Sequence, residues 1–458
     1  MTHSGRVLLI ANNFPPVRGG SASVYENIAR CAGGDVIVLA PSVSYADGLP
    51  VIGWREHDRQ APYRIVRLPL LRTTIGAGTA SGLAATLPGR LAFRLAFLLW
   101  DVLIRLRLAW TLLRLVVGER VRTVCVGELL ASGWLLHMLR LVPGVRTVAY
   151  VHGEEITTRD GRDVGNRRGR RALLCSDAVV VVSRFTQRAV DALLGSDARG
   201  RTALIENGVD TRRFRLGDRP RDLAALYGLD GGGFVFVSVC RLVEKKGVDM
   251  AIRAFAQVHR AHPGSRYLVV GTGPHEAALH ALAAAEGVAD AVVFAGQVSD
   301  DELVEHYRLG DAFVMPNRAM PDGDTEGFGL VFLEANGCGL PVIAGRDGGS
   351  PDAVRHGVNG LVVDGRSVDE IAAAMLALLG DGALREALRQ RALETASKAG
   401  WEERTRAFLR TCAAPTPARA GRRGPGRRGP DWGGPGGMLA GIARGFGGAR
   451  RRPVAAPG

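Results

Sequence analysis

The chain has 458 residues, 47% of them hydrophobic and 23% charged, a composition typical of soluble globular domains that excludes wholesale disorder. At roughly 100 to 200 residues per domain, this length predicts two to four domains. The net charge is +14, but residues 413–458 hold nine Arg, one Asp, 13 Gly and 7 Pro; this segment carries +8 of the excess and cannot bury enough apolar surface to offset its chain entropy, so a disordered basic tail is expected there.

In chain order, Met1-Thr2-His3-Ser4-Gly5 leads straight into an apolar run over 7–11, too short for a signal-peptide core. The six cysteines (31, 125, 175, 240, 338 and 412) are scattered and form no C-x-x-C pair, which argues against a zinc site or redox pair and for a reducing, cytoplasmic compartment. Apolar runs at 7–11, 36–40, 123–126, 147–151 and 178–182 read as buried strands, separated by segments long enough for crossover helices. A second series follows at 234–239, 267–270, 291–294, 312–315, 341–344 and 361–363, with helical patterns between, as at 248–260 and 275–286. Parallel sheets covered on both faces have this pattern. The expected fold is α/β, two doubly wound Rossmann-like domains facing a central cleft, with a hinge over 207–220 where Asn207-Gly208 and the run Leu216 to Pro220 interrupt the periodicity. The domains expected are 1–212, 213–400 and the tail 413–458.

One segment departs from the soluble pattern. Residues 91–117 are rich in Leu, Phe, Trp and Val, but Arg94, Asp101, Arg105, Arg107 and Arg114 interrupt them, whereas a membrane span needs about 20 predominantly apolar residues. On a helix, Arg90, Arg94, Asp101 and Arg105 fall within about 60° of one another, a polar stripe beside a wide apolar surface. Two expectations remain open: a core helix whose stripe is its solvent face, or an interfacial helix lying on a membrane.

The strongest chemical signal is Glu326-Gly327-Phe328-Gly329-Leu330-Val331-Phe332-Leu333-Glu334. Two carboxylates stand eight residues apart, the first in a Gly-rich turn and the second within a helix. The helical rise puts them roughly 12 Å apart, a length that suits a ligand lying across a helix N-terminus with phosphate in the middle. Arg241 and Lys246, five apart at the mouth of a strand, would supply two positive charges for a diphosphate. Gly19 and Gly20 allow close backbone approach to phosphate at a helix start. His152 stands at the end of the 147–151 strand.

These motifs, in this order, resemble the retaining glycosyltransferases of family 4, which have the two-Rossmann GT-B fold. The resemblance runs over most of 6–412 and is carried by Gly19-Gly20-Ser21, His152-Gly153-Glu154, Ser183, Asn207-Gly208-Val209-Asp210, Arg241 with Lys246, Gly271-Thr272-Gly273-Pro274, and Glu326 with Glu334. Around 339–352 the wording looks most like bacterial phosphatidylinositol mannosyltransferases and exopolysaccharide glycosyltransferases. The resemblance implies a hexosyl transfer from a nucleotide diphosphate sugar, GDP-mannose favoured, to a lipid-linked or glycan acceptor. In that family pattern His152 would contact the transferred sugar, Arg241 and Lys246 the diphosphate, Glu326 the sugar hydroxyls and Glu334 the ribose, while Gly19, Gly20, Phe328, Gly329 and Leu330 would line the donor site. It also implies a last helix, 401–412, that crosses back to the first domain, no cofactor and no metal.

Asp322-Gly323-Asp324 is a D-x-D, the metal motif of a different glycosyltransferase fold, and is expected here to be a polar loop. Gly271-Thr272-Gly273-Pro274 lacks the third glycine of a dinucleotide fingerprint. The alternatives are transfer to a soluble small-molecule acceptor or a basic nucleic-acid binder. The Arg-Arg-Gly-Pro repeats at 422–430 and the Arg cluster at 159–171 favour the latter, but anionic lipid headgroups are an equally good partner for that charge. An anionic membrane surface, reached peripherally from the cytoplasmic side, is therefore expected, and no specific nucleic acid.

Overall fold

The computed structural model describes residues 5–44, 48–72, 87–158 and 165–415, with no side-chain detail over 87–95. The basic tail and part of the 159–171 Arg cluster lie outside the described residues. Two all-parallel sheets organise the chain. The first contains β1 (Arg6–Ile10), β2 (Val36–Pro41), β3 (Arg64–Leu68), β4 (Val121–Val126), β5 (Arg146–Val151), β6 (Ala178–Val181) and β7 (Thr202–Leu204), in the order β3-β2-β1-β4-β5-β6-β7. The second contains β8 (Val235–Val239), β9 (Arg266–Val270), β10 (Val292–Gly296), β11 (Ala312–Met315), β12 (Val342–Gly345) and β13 (Gly360–Val363), in the order β10-β9-β8-β11-β12-β13.

Central strands such as β2 and β5 are buried along their whole length, which is why they read as unbroken apolar runs. The structure adds two strands that no apolar run announced. β3, Arg-Ile-Val-Arg-Leu, closes the sheet at one edge and breaks its apolar residues with Arg64, which pairs with Glu119, and Arg67, whose buried guanidinium pairs with Asp58 at 2.8 Å, while β7 is only three half-buried residues at the other edge. Covering helices bury one face each: Val248–Ala261 turns Ala251, Ile252, Phe255 and Val258 inward at i, i+1, i+4 and i+7. Strand order reverses between β1 and β4 in one sheet and between β8 and β11 in the other. Such switch points leave a crevice at the carboxyl ends of the strands.

The link between the sheets is tied down near the last helix. Val209 N donates to Ala399 O at 2.9 Å, and a Cβ on Gly208 would stand 2.8 Å from that same carbonyl and 3.0 Å from the Trp401 ring. Helix Trp401–Ala413 then runs back onto the first sheet, where Thr123 Oγ1 donates to Cys412 O at 2.9 Å and Phe408 packs 6.0 Å from Tyr150.

Helix Leu87–Gly118 answers the question left by its sequence. It buries a single stripe, Ile104, Leu108, Leu112 and Leu115, against the first sheet. The face turned outward is apolar: Leu99, Leu103, Leu106, Trp110, Leu113 and Val117 are 38% to 79% exposed and share an arc of about 80° at 3.6 residues per turn. This corrects the expectation of a core helix with a polar solvent face. Asp101 pairs with Arg105 at 2.6 Å, and the Arg105 guanidinium sits 5.2 Å from the Trp134 ring, so that part of the polar stripe is engaged along the flank. The side chains of Arg90 and Arg94 lie outside the described set. Among the described residues no helix is long and apolar enough to cross a membrane.

Candidate active site

The first domain contributes the loop after β1 and the start of helix Gly20–Cys31. Asn12 N and Asn13 N donate to the Glu128 carboxylate, at 2.7 and 3.2 Å. Burial pushes the Glu128 carboxyl up while these amides pull it down, and the rise wins. Gly19 and Gly20 follow this anchored loop and are exposed. A Cβ on Gly20 would be 4.0 Å from Leu330 Cδ1, so the helix start of one domain faces the helix start of the other.

The second domain contributes Arg241, just beyond β8, and Lys246, in the 3-10 turn Glu244–Lys246. Lys246 Nζ donates to Glu326 Oε2 in a short ion pair. Burial alone would lower the lysine and raise the glutamate. Their mutual attraction outweighs it, so Lys246 titrates above its ordinary value and Glu326 below. Of the two positive charges expected for a diphosphate, Lys246 is thus paired here with the residue that the resemblance assigns to the sugar. Arg241 is exposed and has no ion-pair partner among the described residues, which makes it the cation most open to a diphosphate.

The paired carboxylates are also arranged differently from the helical estimate. Only Leu330–Gly337 is helical; Gly329, at φ +91°, caps it, and Glu326 sits in the preceding turn. The 1.5 Å rise therefore does not govern the first half of the spacing. Glu334 accepts a hydrogen bond from Tyr307 Oη at 2.8 Å. Burial raises its carboxyl despite that donor. Phe328 is buried and Leu330 half-buried beside the cleft. Glu326 is held from behind by Gly349 N, which donates to its carbonyl at 2.8 Å.

His152 and Gly153 meet this turn from the opposite domain. A Cβ on Gly327 would lie 2.0 Å from His152 O, and one on Gly153, at φ +126°, 3.3 Å from Gly327 Cα. Backbone therefore touches backbone across the cleft, and only glycine permits it. The His152 ring is stacked on Tyr150 with centroids 5.1 Å apart, and its Nε2 is 2.7 Å from Tyr25 Oη. Burial pushes the imidazole down to about 4, so near neutral pH it can hydrogen-bond a hydroxyl but carries no charge. Further ties join the domains. Asp352 Oδ2 accepts from Arg184 N and Phe185 N at 2.7 and 3.3 Å, at the start of helix Arg184–Leu194. Lys245 stands 2.7 Å from Asp324 and 3.8 Å from Glu154, and Arg18 donates to Val298 O.

These contacts bring His152, Lys246, Glu326 and the Gly19-Gly20 turn to one cleft between the sheets; Arg241 lies near Lys246, and Glu334 stands beside Tyr307 on the helix that starts at Leu330. Sequence reasoning passed over Glu128, Tyr25 and Tyr307, which hydrogen-bond Asn12, His152 and Glu334 and carry no motif of their own, and gave no role to Lys245 beside Lys246. The D-x-D is spent locally, since Asp324 pairs with Lys245 and Asp322 Oδ1 accepts from Asp324 N at 3.0 Å. Among the described residues no three His, Cys, Asp or Glu side chains are grouped to hold a metal ion.

Comparison with known proteins identifies the family and the fold. Residues 19–213 match the model of Glycosyltransferase Family 4, and residues 223–395 that of Glycosyl transferases group 1. The chain is 37% identical over 385 residues, 82% of its own length and 89% of the relative's, to the GDP-mannose-dependent alpha-(1-6)-phosphatidylinositol monomannoside mannosyltransferase of Mycobacterium tuberculosis. It is 34% identical to the enzyme of the same description from Mycolicibacterium smegmatis, over 87% of this chain and 96% of that one. Among solved structures, Anabaena HepE in complex with UDP and glucose superposes with a TM-score of 0.68 at 19% identity, over 90% of this chain and all of that one. Sucrose-phosphate synthase from Thermosynechococcus elongatus gives 0.65 at 22% identity, over 89% and 98%. The fold is GT-B.

Proposed function

Because the chain belongs to glycosyltransferase family 4, we propose that it moves mannose from GDP-mannose to a phosphatidylinositol-based lipid, working peripherally at the inner face of the membrane in cell-envelope synthesis. The observation that carries this reading is the 37% identity extending over 89% of a GDP-mannose-dependent mannosyltransferase. In the site, Arg241 receives the diphosphate and Lys246 is drawn toward it from Glu326, so that positive charge and helix N-terminal amides stabilise the departing group. Glu326 and His152 orient the sugar, and Glu334 holds the ribose. Gly19 and Gly20 let the first domain close over the phosphates.

Transfer proceeds with retention by front-face attack, the leaving phosphate taking the acceptor proton. Two of the nearby buried carboxylates, Glu128 and Glu155, accept hydrogen bonds from backbone amides, a duty that fits binding and positioning better than nucleophilic attack. No divalent cation is needed in this scheme. The exposed stripe from Leu99 to Val117 supports membrane contact, with Arg107 and Arg114 beside it, since an apolar helix face with flanking basic residues binds an anionic bilayer.

Thermal shift against a panel of GDP-, UDP- and ADP-sugars tests the donor, because a ligand bound only to the native state raises Tm. Transfer to phosphatidylinositol vesicles tests the acceptor, and replacing Leu103, Leu106 and Trp110 by Ser should abolish co-sedimentation with those vesicles while the fold persists. Similarity to D-inositol 3-phosphate glycosyltransferases, 35% over 62% of the chain, favours a soluble inositol phosphate as the second acceptor to try. Turnover on it, without vesicle binding, would replace the lipid reading.

A further inference from the structure

The scheme above gives Glu155 only its hydrogen bonds to backbone, yet this residue lies beneath the most constrained point of the site. It sits in the short helix Glu154–Thr157 with its side chain buried. Its carboxylate accepts from Gly153 N at 2.9 Å and from His152 N at 3.2 and 3.4 Å. The peptide held this way is the one whose other side, His152 O, abuts Gly327 across the cleft. Asn166 Nδ2 in turn donates to Glu155 O at 2.9 Å, so the support is itself supported. A buried carboxylate on two backbone amides is a costly arrangement that an apolar residue of similar size would avoid, because no cation shares the hydrogen bonds.

We propose that Glu155 is a positioning residue: its carboxylate fixes the His152–Gly153 peptide against Gly327 and thereby sets the geometry in which His152 meets the transferred sugar. The proposal rests on the glycosyltransferase reading of the site. Glu155 touches neither donor nor acceptor in it and acts through His152. Its ionised form grips the amides more firmly than its neutral form, since charge-assisted hydrogen bonds are roughly twice as strong.

The surroundings make that grip sensitive to pH near neutrality. Burial raises the Glu155 carboxyl to about 7, its own backbone amide and those of Gly153 and His152 opposing the rise and the Glu154 charge adding to it. From the other elements packed around it, burial and then the Glu128 and Glu155 charges keep Tyr25 on helix Gly20–Cys31 protonated, and burial keeps His152 neutral. The neighbouring helix Arg184–Leu194 carries Arg184, Arg188 and Asp191, and Lys245 reaches Glu154 from across the cleft. Because folding raises this carboxyl, its contribution to stability is full below the ordinary carboxylate range and is lost as pH rises through 7. Positioning has the opposite sign, since the grip strengthens over the same interval. Activity and stability therefore diverge with pH, which a merely structural role would not produce.

The test compares the full chain with Glu155→Gln, which keeps the size and removes the charge. Hydrogen exchange of the His152 and Gly153 amides, followed by mass spectrometry of the peptide spanning 148–157, should be at least about 10-fold faster in the variant, reflecting the loss of a charge-assisted acceptor. With GDP-mannose and phosphatidylinositol vesicles, kcat should fall about 10- to 100-fold with KM for donor nearly unchanged, as for a displaced catalytic geometry. The rise of wild-type kcat through pH 7 should vanish, while the variant is at least as stable as wild type at pH 8. Unchanged amide exchange, or activity that falls only in step with stability, overturns the proposal. If wild type turns over no nucleotide sugar, the transferase reading fails by itself and amide exchange alone decides the role of Glu155.

Discussion

Replacing Gly327 by alanine is the most direct test of the cleft geometry. The new Cβ would stand 2.0 Å from His152 O and 3.2 Å from His152 C, and both sides of that contact are backbone. Contacts below 3.0 Å are not tolerated, so the two segments must separate by at least about 1 Å. Neither can move alone, because Gly153 N and His152 N are tied to Glu155, and the Glu326 carbonyl is tied to Gly349 N. The relief is therefore an opening of the domains. A 1 Å misplacement of reacting groups costs about 100-fold in rate, whereas both hydrophobic cores stay intact and the loss of stability should remain below about 1.5 kcal/mol. Steady-state kinetics on the variant, with urea unfolding and solution scattering alongside, would show a drop in kcat/KM near that size, a nearly unchanged midpoint and a slightly larger radius of gyration. Wild-type kcat/KM in a folded Gly327→Ala variant would refute the inference that this backbone contact belongs to the reactive arrangement.

Arg241→Ala and Glu326→Ala should each abolish transfer in a folded protein. Lys246→Met leaves Glu326 buried without its partner and should cost about 3–5 kcal/mol in denaturant unfolding. The same variant reverses a pH slope: in the native pair Glu326 lies below its ordinary value, so its contribution is present above about pH 4.5 and is lost as pH falls through the lowered value, whereas an unpaired Glu326 would favour acid. Unfolding curves from pH 3 to 6 on both proteins check that sign. Glu334→Gln should raise the Kd for GDP about 10-fold, the loss of one charge-assisted hydrogen bond to ribose, with a smaller change in kcat; calorimetry against GDP measures it, and Tyr307→Phe should give a weaker effect of the same kind. Activity should survive excess EDTA, and a strict need for a divalent cation would return attention to Asp322 and Asp324.

Much of this molecule could be read from the order of its residues. The buried strands announced themselves because both faces of a parallel sheet are covered, which turns β2 and β5 into unbroken apolar runs. Gly19-Gly20, His152-Gly153, Arg241 with Lys246 and Glu326 with Glu334 were visible because each is a local pattern whose members fold onto one turn or one helix start. The edge strands β3 and β7 were not, because two ion-paired arginines break the apolar residues of β3, and β7 is only three residues long.

What the tertiary structure alone decided are the relations between segments far apart in the chain. Lys246 and Glu326 are 80 residues apart and neutralise one another; Asp352 caps a helix 168 residues before it; Glu128 holds Asn12 from 116 residues away. The outward face of helix Leu87–Gly118 belongs with these. Its sequence shows one wide apolar surface, but which part of it is buried depends on where the first sheet lies, and the sheet takes Ile104, Leu108 and Leu112 and leaves Leu103, Leu106 and Trp110 outside. Local pattern shows which residues are able to meet. Whether they do is settled by packing, because a charge or an apolar face is satisfied only by a neighbour that the fold places against it.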